Sequence, residues 1–137
     1  MDIVVVRQSG QSATVALSGQ LDIDTGRELD AALDDLREQL VTGIVIDLSG
    51  LTFCDSTGLS ALVTTHHHRT ALGGYLRLAA PSPFLHRVLR VVGIAGVIPV
   101  YTTVQAARTA DPTGLVTANP EPVPPDGPFG ADGPEAS

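Results

Sequence analysis

Lysine and tryptophan are both missing from these 137 residues, and cysteine occurs once. A single thiol, Cys54, excludes an internal disulfide framework and a thiolate metal cluster, leaving a lone buried cysteine as the expectation. Without lysine there is no glycine-rich loop ending in the lysine that nucleotide hydrolysis ordinarily uses. Positive charge is scarce as well: eight arginines face fifteen acids, for a net charge of −7. A nucleic-acid binder needs a basic face to displace counterions, so nucleic acid is not expected as a partner. No apolar run approaches membrane-spanning length, and Met1 to Arg7 lacks the basic start and long apolar stretch of a secretory signal. These absences predict a soluble cytoplasmic protein with no membrane partner.

What is present is enough for one core, since 43% of the residues are hydrophobic and the length suits a single domain. Composition changes beyond Asp111. Residues 111–137 hold seven of the ten prolines and five acids (Asp111, Glu121, Asp126, Asp132, Glu135) with no base. The expected organisation is therefore a folded domain over residues 1–110 and a disordered Pro/Gly-rich acidic tail over 111–137.

Within the first 110 residues strand and helix patterns alternate. Ile3 to Val6 reads as a strand, and residues 13–18 alternate around Val15 and Leu17 before Gly19. Thr25 with Glu28 reads as a capping box, followed by Leu29, Ala32, Leu33, Leu36 and Leu40 at helical spacing until Gly43. Ile44, Val45, Ile46 and Leu48 form the nearly unbroken run of a central strand. A helix from Ser56 directs Leu59, Leu62, Val63 and His66 inward and stops at Gly73 and Gly74. Residues 75–80 give another strand. Ser82 and Pro83 open a helix with Leu85, Val88, Leu89 and Val92 on its buried side. A short strand near Val97 to Val100 follows, and Thr102 with Gln105 caps a last brief helix. The predicted class is α/β, order ββαβαβαβα, with the middle strands parallel in one mixed sheet because strand–helix–strand units cross over right-handed.

The junction before the second helix, Asp55, Ser56, Thr57, Gly58, Leu59, places two small hydroxyls on a helical first turn. Asp, Ser and Thr are ordinary capping residues, and that is their plain role. The same turn suits an anion, because its unpaired N–H groups and the helix dipole favour negative charge. A phosphoryl group on Ser56 would place up to two charges beside the carboxylate of Asp55. Gly58 costs about 0.8 to 1 kcal/mol against alanine in a helix, which implies a packing or access reason.

Three segments together resemble the STAS domain of stand-alone anti-sigma factor antagonists. They are Gly19, Gln20, Leu21, Asp22 after the second strand; Ile44 to Leu48 with Ser49, Gly50, Leu51; and Phe53 to Leu59, with Gly73 and Gly74 before the next strand. The resemblance covers residues 1 to about 110. It implies a partner-switching protein that binds an anti-sigma factor with serine kinase activity, is released by phosphorylation, and is restored by a serine phosphatase. It further implies Ser56 as the phosphoacceptor, with Thr57 as second choice, and Asp22, Asp55, Ser56, Thr57, Gly58 and Leu59 as the surface met by the partner. Ser60, where many relatives have glycine, and His66, His67 and His68 depart from the family pattern on the same helix.

Other chemistries fit less well. Neighbouring helical residues point about 100° apart, so His66, His67 and His68 cannot ligate one ion together, and no metal or other cofactor is expected. A hydrolase using Ser56 lacks the Gly-x-Ser-x-Gly elbow, and the histidines lie two to three turns away. His86 reads as a surface residue. The chain is therefore expected not to be an enzyme. The alternative to the switch is a STAS scaffold or sensor module without phospho-control, binding other proteins or a nucleotide or small ligand.

Overall fold

The computed structural model describes residues 1–8 and 10–116. Among the described residues a six-stranded sheet runs in sequence order through β1 (Asp2–Arg7), β2 (Ser12–Leu21), β3 (Gly43–Cys54), β4 (Tyr75–Ala79), β5 (Val100–Tyr101) and β6 (Leu115–Val116). The pairs from β2 through β5 are parallel, and the two edge strands, β1 and β6, are antiparallel to their neighbours. The helices are α1 (Thr25–Glu38), α2 (Ser56–Ala71), α3 (Pro83–Val91) and α4 (Val104–Thr109). The expected order is present and is extended by β6, with 3-10 turns at Ile94–Gly96 and Pro112–Gly114. The sheet thus draws on residues beyond 110, where the sequence pattern placed the domain's end. The disordered tail expected over 111–137 is corrected at its start, where Pro112–Gly114 and Leu115–Val116 are ordered elements; the remainder, 117–137, lies outside the described residues.

Alternation along the strands divides the core in two. Val15 and Leu17 of β2, Ile44, Ile46 and Leu48 of β3, and Leu76 and Leu78 of β4 meet residues of α1, α2 and α3 on one face. The opposite face is a smaller cluster in which Val45, Ala79 and Tyr101 meet Ala106 and Ala107 of α4. β3 is buried on both faces, which explains its unbroken apolar run. Two register shifts against β2, between Ala16 and Ser18 and between Gly19 and Gln20, carry β3 on to Cys54.

Several local expectations are corrected. Thr25 does not form a capping box with Glu28; it is the first residue of α1, and the Asp22 carboxylate closes the turn instead by accepting the Asp24 and Thr25 N–H groups. The cap of α4 is Thr103 rather than Thr102, its hydroxyl accepting from the Ala106 N–H. The chain leaves α1 through Leu40, which takes φ 65° and is 69% exposed, and Gly43 already belongs to β3. Val92 is also exposed, because α3 ends at Val91. By contrast Gly73 does supply the left-handed stop after α2, at φ 80°.

Arg69 is the residue that reading the sequence missed. It is 2% exposed, and its Nη2 donates to the Leu33 carbonyl oxygen at 2.7 Å, tying α2 to α1. It follows Leu62 by seven residues, which is the spacing of a buried stripe and the signal that could have placed it.

His66 is half-buried and His67 and His68 are exposed, as expected, while His86 is half-buried rather than on the surface. His66 Nδ1 and His86 Nε2 are buried and lack a hydrogen-bond partner among the described residues. Burial first, and then a neighbouring cation (His67 for His66, Arg90 for His86), holds both imidazoles below their ordinary 6.5. The folded state therefore binds fewer protons than the unfolded one, and stability present above pH 6.5 is lost as pH falls through the lower folded values. Urea midpoints should decline between pH 7.5 and 5.5, and a His66→Gln/His86→Gln variant should flatten that decline.

Candidate functional site

Leu21 and Cys54 are register partners at the C-terminal ends of adjacent parallel strands, so the chain leaves β2 and β3 side by side. The Asp55 N–H donates to the Leu21 carbonyl at 3.1 Å and fixes the second exit to the first. From the first exit comes Asp22. Its Oδ1 accepts from the Asp24 and Thr25 N–H groups at 3.0 Å each, and its own N–H donates to Thr25 Oγ1. Bonds from Thr25 above all hold its carboxyl below the usual carboxylate range. Asp22 is thus an ionised, half-buried group spent largely on closing the turn into α1.

The second exit starts α2. Asp55 is the N-cap in extended geometry; its Oδ1 accepts from the Gly58 N–H at 2.9 Å, and its carbonyl accepts the Leu59 N–H. That leaves Ser56 and Thr57 as the first two helical residues. Both are exposed, and neither hydroxyl is bonded among the described residues. Gly58 is buried against the sheet, where an added Cβ would stand 2.8 Å from both Leu21 Cγ and the Leu21 carbonyl oxygen and 2.9 Å from Cys54 Sγ. The packing reason expected of this glycine is therefore close approach of the helix to the β2 exit. Leu59 is half-buried against the core.

Of the six residues expected to meet a partner, the fold brings all to one end of the sheet and presents them differently. Ser56 and Thr57 offer free hydroxyls, Leu59 offers apolar surface, Asp55 and Gly58 build the turn that holds them, and Asp22 closes the neighbouring turn into α1. Beside Ser56 runs a groove of about 460 Å³ between α2 and the end of α3, lined by Leu59, Ser60, Val63, Val92 and Ile94. The groove was not read from sequence, because it needs the exposed Val92 brought next to α2.

Cys54 is half-buried, and burial together with the neighbouring Asp55 pushes its thiol up to about 12. A thiol held so far above neutrality is almost wholly protonated at pH 8 and reacts slowly as a nucleophile there. Alkylation by iodoacetamide at pH 8 should be at least about 100-fold slower in the folded protein than in urea, as followed by mass spectrometry. Among the described residues no group of three or more His, Cys, Asp and Glu side chains could hold a metal ion. No described helix is long and apolar enough to cross a membrane.

Comparison with known proteins accords with this geometry. The family model described as "Mlab, STAS domain" matches residues 4–100. An anti-sigma F factor antagonist of Paenibacillus polymyxa is 30% identical over 88 residues, spanning 64% of this chain and 75% of that protein. The crystal structure of an anti-sigma factor antagonist from Mycobacterium paratuberculosis superposes with a TM-score of 0.69 at 27% identity, covering 80% of this chain and 92% of the other. The Bacillus cell fate determinant SpoIIAA in its phosphorylated form gives a TM-score of 0.63 at 21% identity over 80% and 99% of the two chains, a likeness of fold. With the model matching most of its length, the chain belongs to the STAS domain family, among whose members it resembles the anti-sigma factor antagonists.

Proposed function

We propose that the protein is an anti-sigma factor antagonist whose grip on an anti-sigma factor with serine kinase activity is released by phosphorylation of Ser56 and restored by a serine phosphatase. The observation that carries this reading is an exposed, unbonded Ser56 hydroxyl on the first turn of α2, at the mouth of an apolar groove. Its relatives support the first half by their names, and the phosphorylated form of SpoIIAA supports the second for a protein of the same fold. Ser56 Oγ would take the γ-phosphoryl group of ATP, losing its proton as ADP leaves. Free N–H groups at the start of α2 favour the resulting anion, so the helix tolerates the charge. Asp55 keeps the α2 turn in shape, Asp22 does the same for the adjacent turn into α1, and Leu59 supplies apolar contact.

Incubation with ATP and each serine kinase encoded alongside this chain, followed by phosphosite mapping, tests the reading. Modification at Ser56 is expected. Modification at Thr57 alone would move the acceptor by one residue. No modification by any of them would favour a scaffold or sensor module without phospho-control.

A further inference from the structure

The net charge hides a division along the chain. No acidic residue occurs between Asp55 and Asp111, a stretch that carries Arg69, Arg77, Arg87, Arg90 and Arg108. The helices α2, α3 and α4 therefore have no carboxylate, whereas α1 alone holds Glu28, Asp30, Asp34, Asp35 and Glu38. On α3 an apolar stripe accompanies the positive charge. Phe84, Val88 and Val91 recur at i, i+4 and i+7, and Phe84 and Val91 are 62% and 60% exposed. Val92, 53% exposed, continues the stripe into the groove beside Ser56. Arg87 and Arg90 are exposed on the same helix, and no described carboxylate forms an ion pair with either.

We propose that this face of α3, together with the groove it shares with α2, receives an aliphatic surface of the anti-sigma partner that bears carboxylates. The inference rests on the switch reading and gives the partner its chemistry: Arg87 and Arg90 attract the same acidic surface that a phosphoryl group on Ser56 repels. Charge of one sign beside exposed valines and a phenylalanine calls for an occupant offering both carboxylates and aliphatic side chains. The chain's own residues 117–137 supply four acids, but only Val123 and Phe129 as large apolar residues among six prolines, a poor match to the groove.

The test is titration calorimetry of the full chain with the anti-sigma kinase encoded alongside it, at 50 and 300 mM salt. Wild type, Ser56→Asp, Arg87→Glu/Arg90→Glu and Val91→Asp are compared, with circular dichroism to show that the exposed substitutions leave the fold intact. Both α3 variants should bind at least about tenfold more weakly, and the arginine variant should lose most of the salt dependence. If both bind within about twofold of wild type while Ser56→Asp is still weakened, this inference fails and the switch stands. If wild type binds no co-encoded kinase, both fail.

Three further results would assign the face to another occupant and overturn the proposal, each with kinase affinity of the α3 variants unchanged. Binding of wild type to phosphatidylglycerol vesicles, lost in Arg87→Glu/Arg90→Glu, would point to a membrane surface. Self-association in sedimentation, lost in Val91→Asp, would point to a second copy. Faster cleavage within residues 117–137 by limited proteolysis in Arg87→Glu/Arg90→Glu than in wild type would point to the chain itself.

Discussion

Phosphorylated on Ser56, the protein is expected to bind its anti-sigma partner about two to four decades more weakly than unmodified or Ser56→Ala protein. A phosphoryl group carries up to two charges; about 6 Å from one partner carboxylate, at an effective dielectric of roughly 20 to 40, it is repelled by about 3 to 5 kcal/mol. Aspartate brings one charge on a shorter stem, so Ser56→Asp should show about half that loss on the free-energy scale. Salt reduces the effect without removing it, because a separation of about 6 Å is shorter than the Debye length of about 8 Å at physiological ionic strength. Calorimetric titration of the three forms checks this, and equal affinity across them would rule out a charge switch. The melting temperature should hardly move on phosphorylation, since Ser56 is exposed and Asp55 Oδ1 keeps its bond to the Gly58 N–H.

The second large effect is expected at Gly58. A methyl group there would meet the Leu21 carbonyl oxygen at 2.8 Å, and that same carbonyl accepts the Asp55 N–H, so neither backbone can give way cheaply. Overpacking of this kind costs about 1 to 3 kcal/mol, against which alanine regains about 0.8 to 1 kcal/mol of helix propensity. Gly58→Ala should therefore lower stability by up to about 2 kcal/mol, and Gly58→Val, β-branched and larger, by about 3 kcal/mol or more. Urea unfolding measures both. Partner binding should weaken along with stability, because lifting the first turn of α2 moves Ser56 and Leu59 together. A Gly58→Ala protein as stable as wild type would show that the turn yields without cost.

The elements legible in sequence were those governed by local pattern. The apolar run Ile44 to Leu48 announced a central strand, and the Leu29, Leu33, Leu36 spacing announced α1; both are as expected. The start of α2 at Ser56 was legible too, because Asp55 caps it within its own turn. What escaped depended on contacts across the chain or on geometry that composition does not encode. Asp22 reaches forward to close α1, so the capping signal at Thr25 and Glu28 pointed to the wrong oxygen. Leu40 takes a left-handed conformation that a glycine would ordinarily supply. Arg69 is buried because a Leu33 carbonyl on another helix accepts from it. The two-residue strand β6 has no periodicity to read; it exists because Val100 and Tyr101 offer an edge.

The bond from the Asp55 N–H to the Leu21 carbonyl, described above as joining the two strand exits, also bears on timing. A serine mounted on a turn so firmly fastened to the sheet leaves no slow rearrangement to follow a change in its chemical state. A protein built this way would keep no memory of earlier modification: its response would show no hysteresis, and its tempo would be set by the enzymes that write and erase the mark.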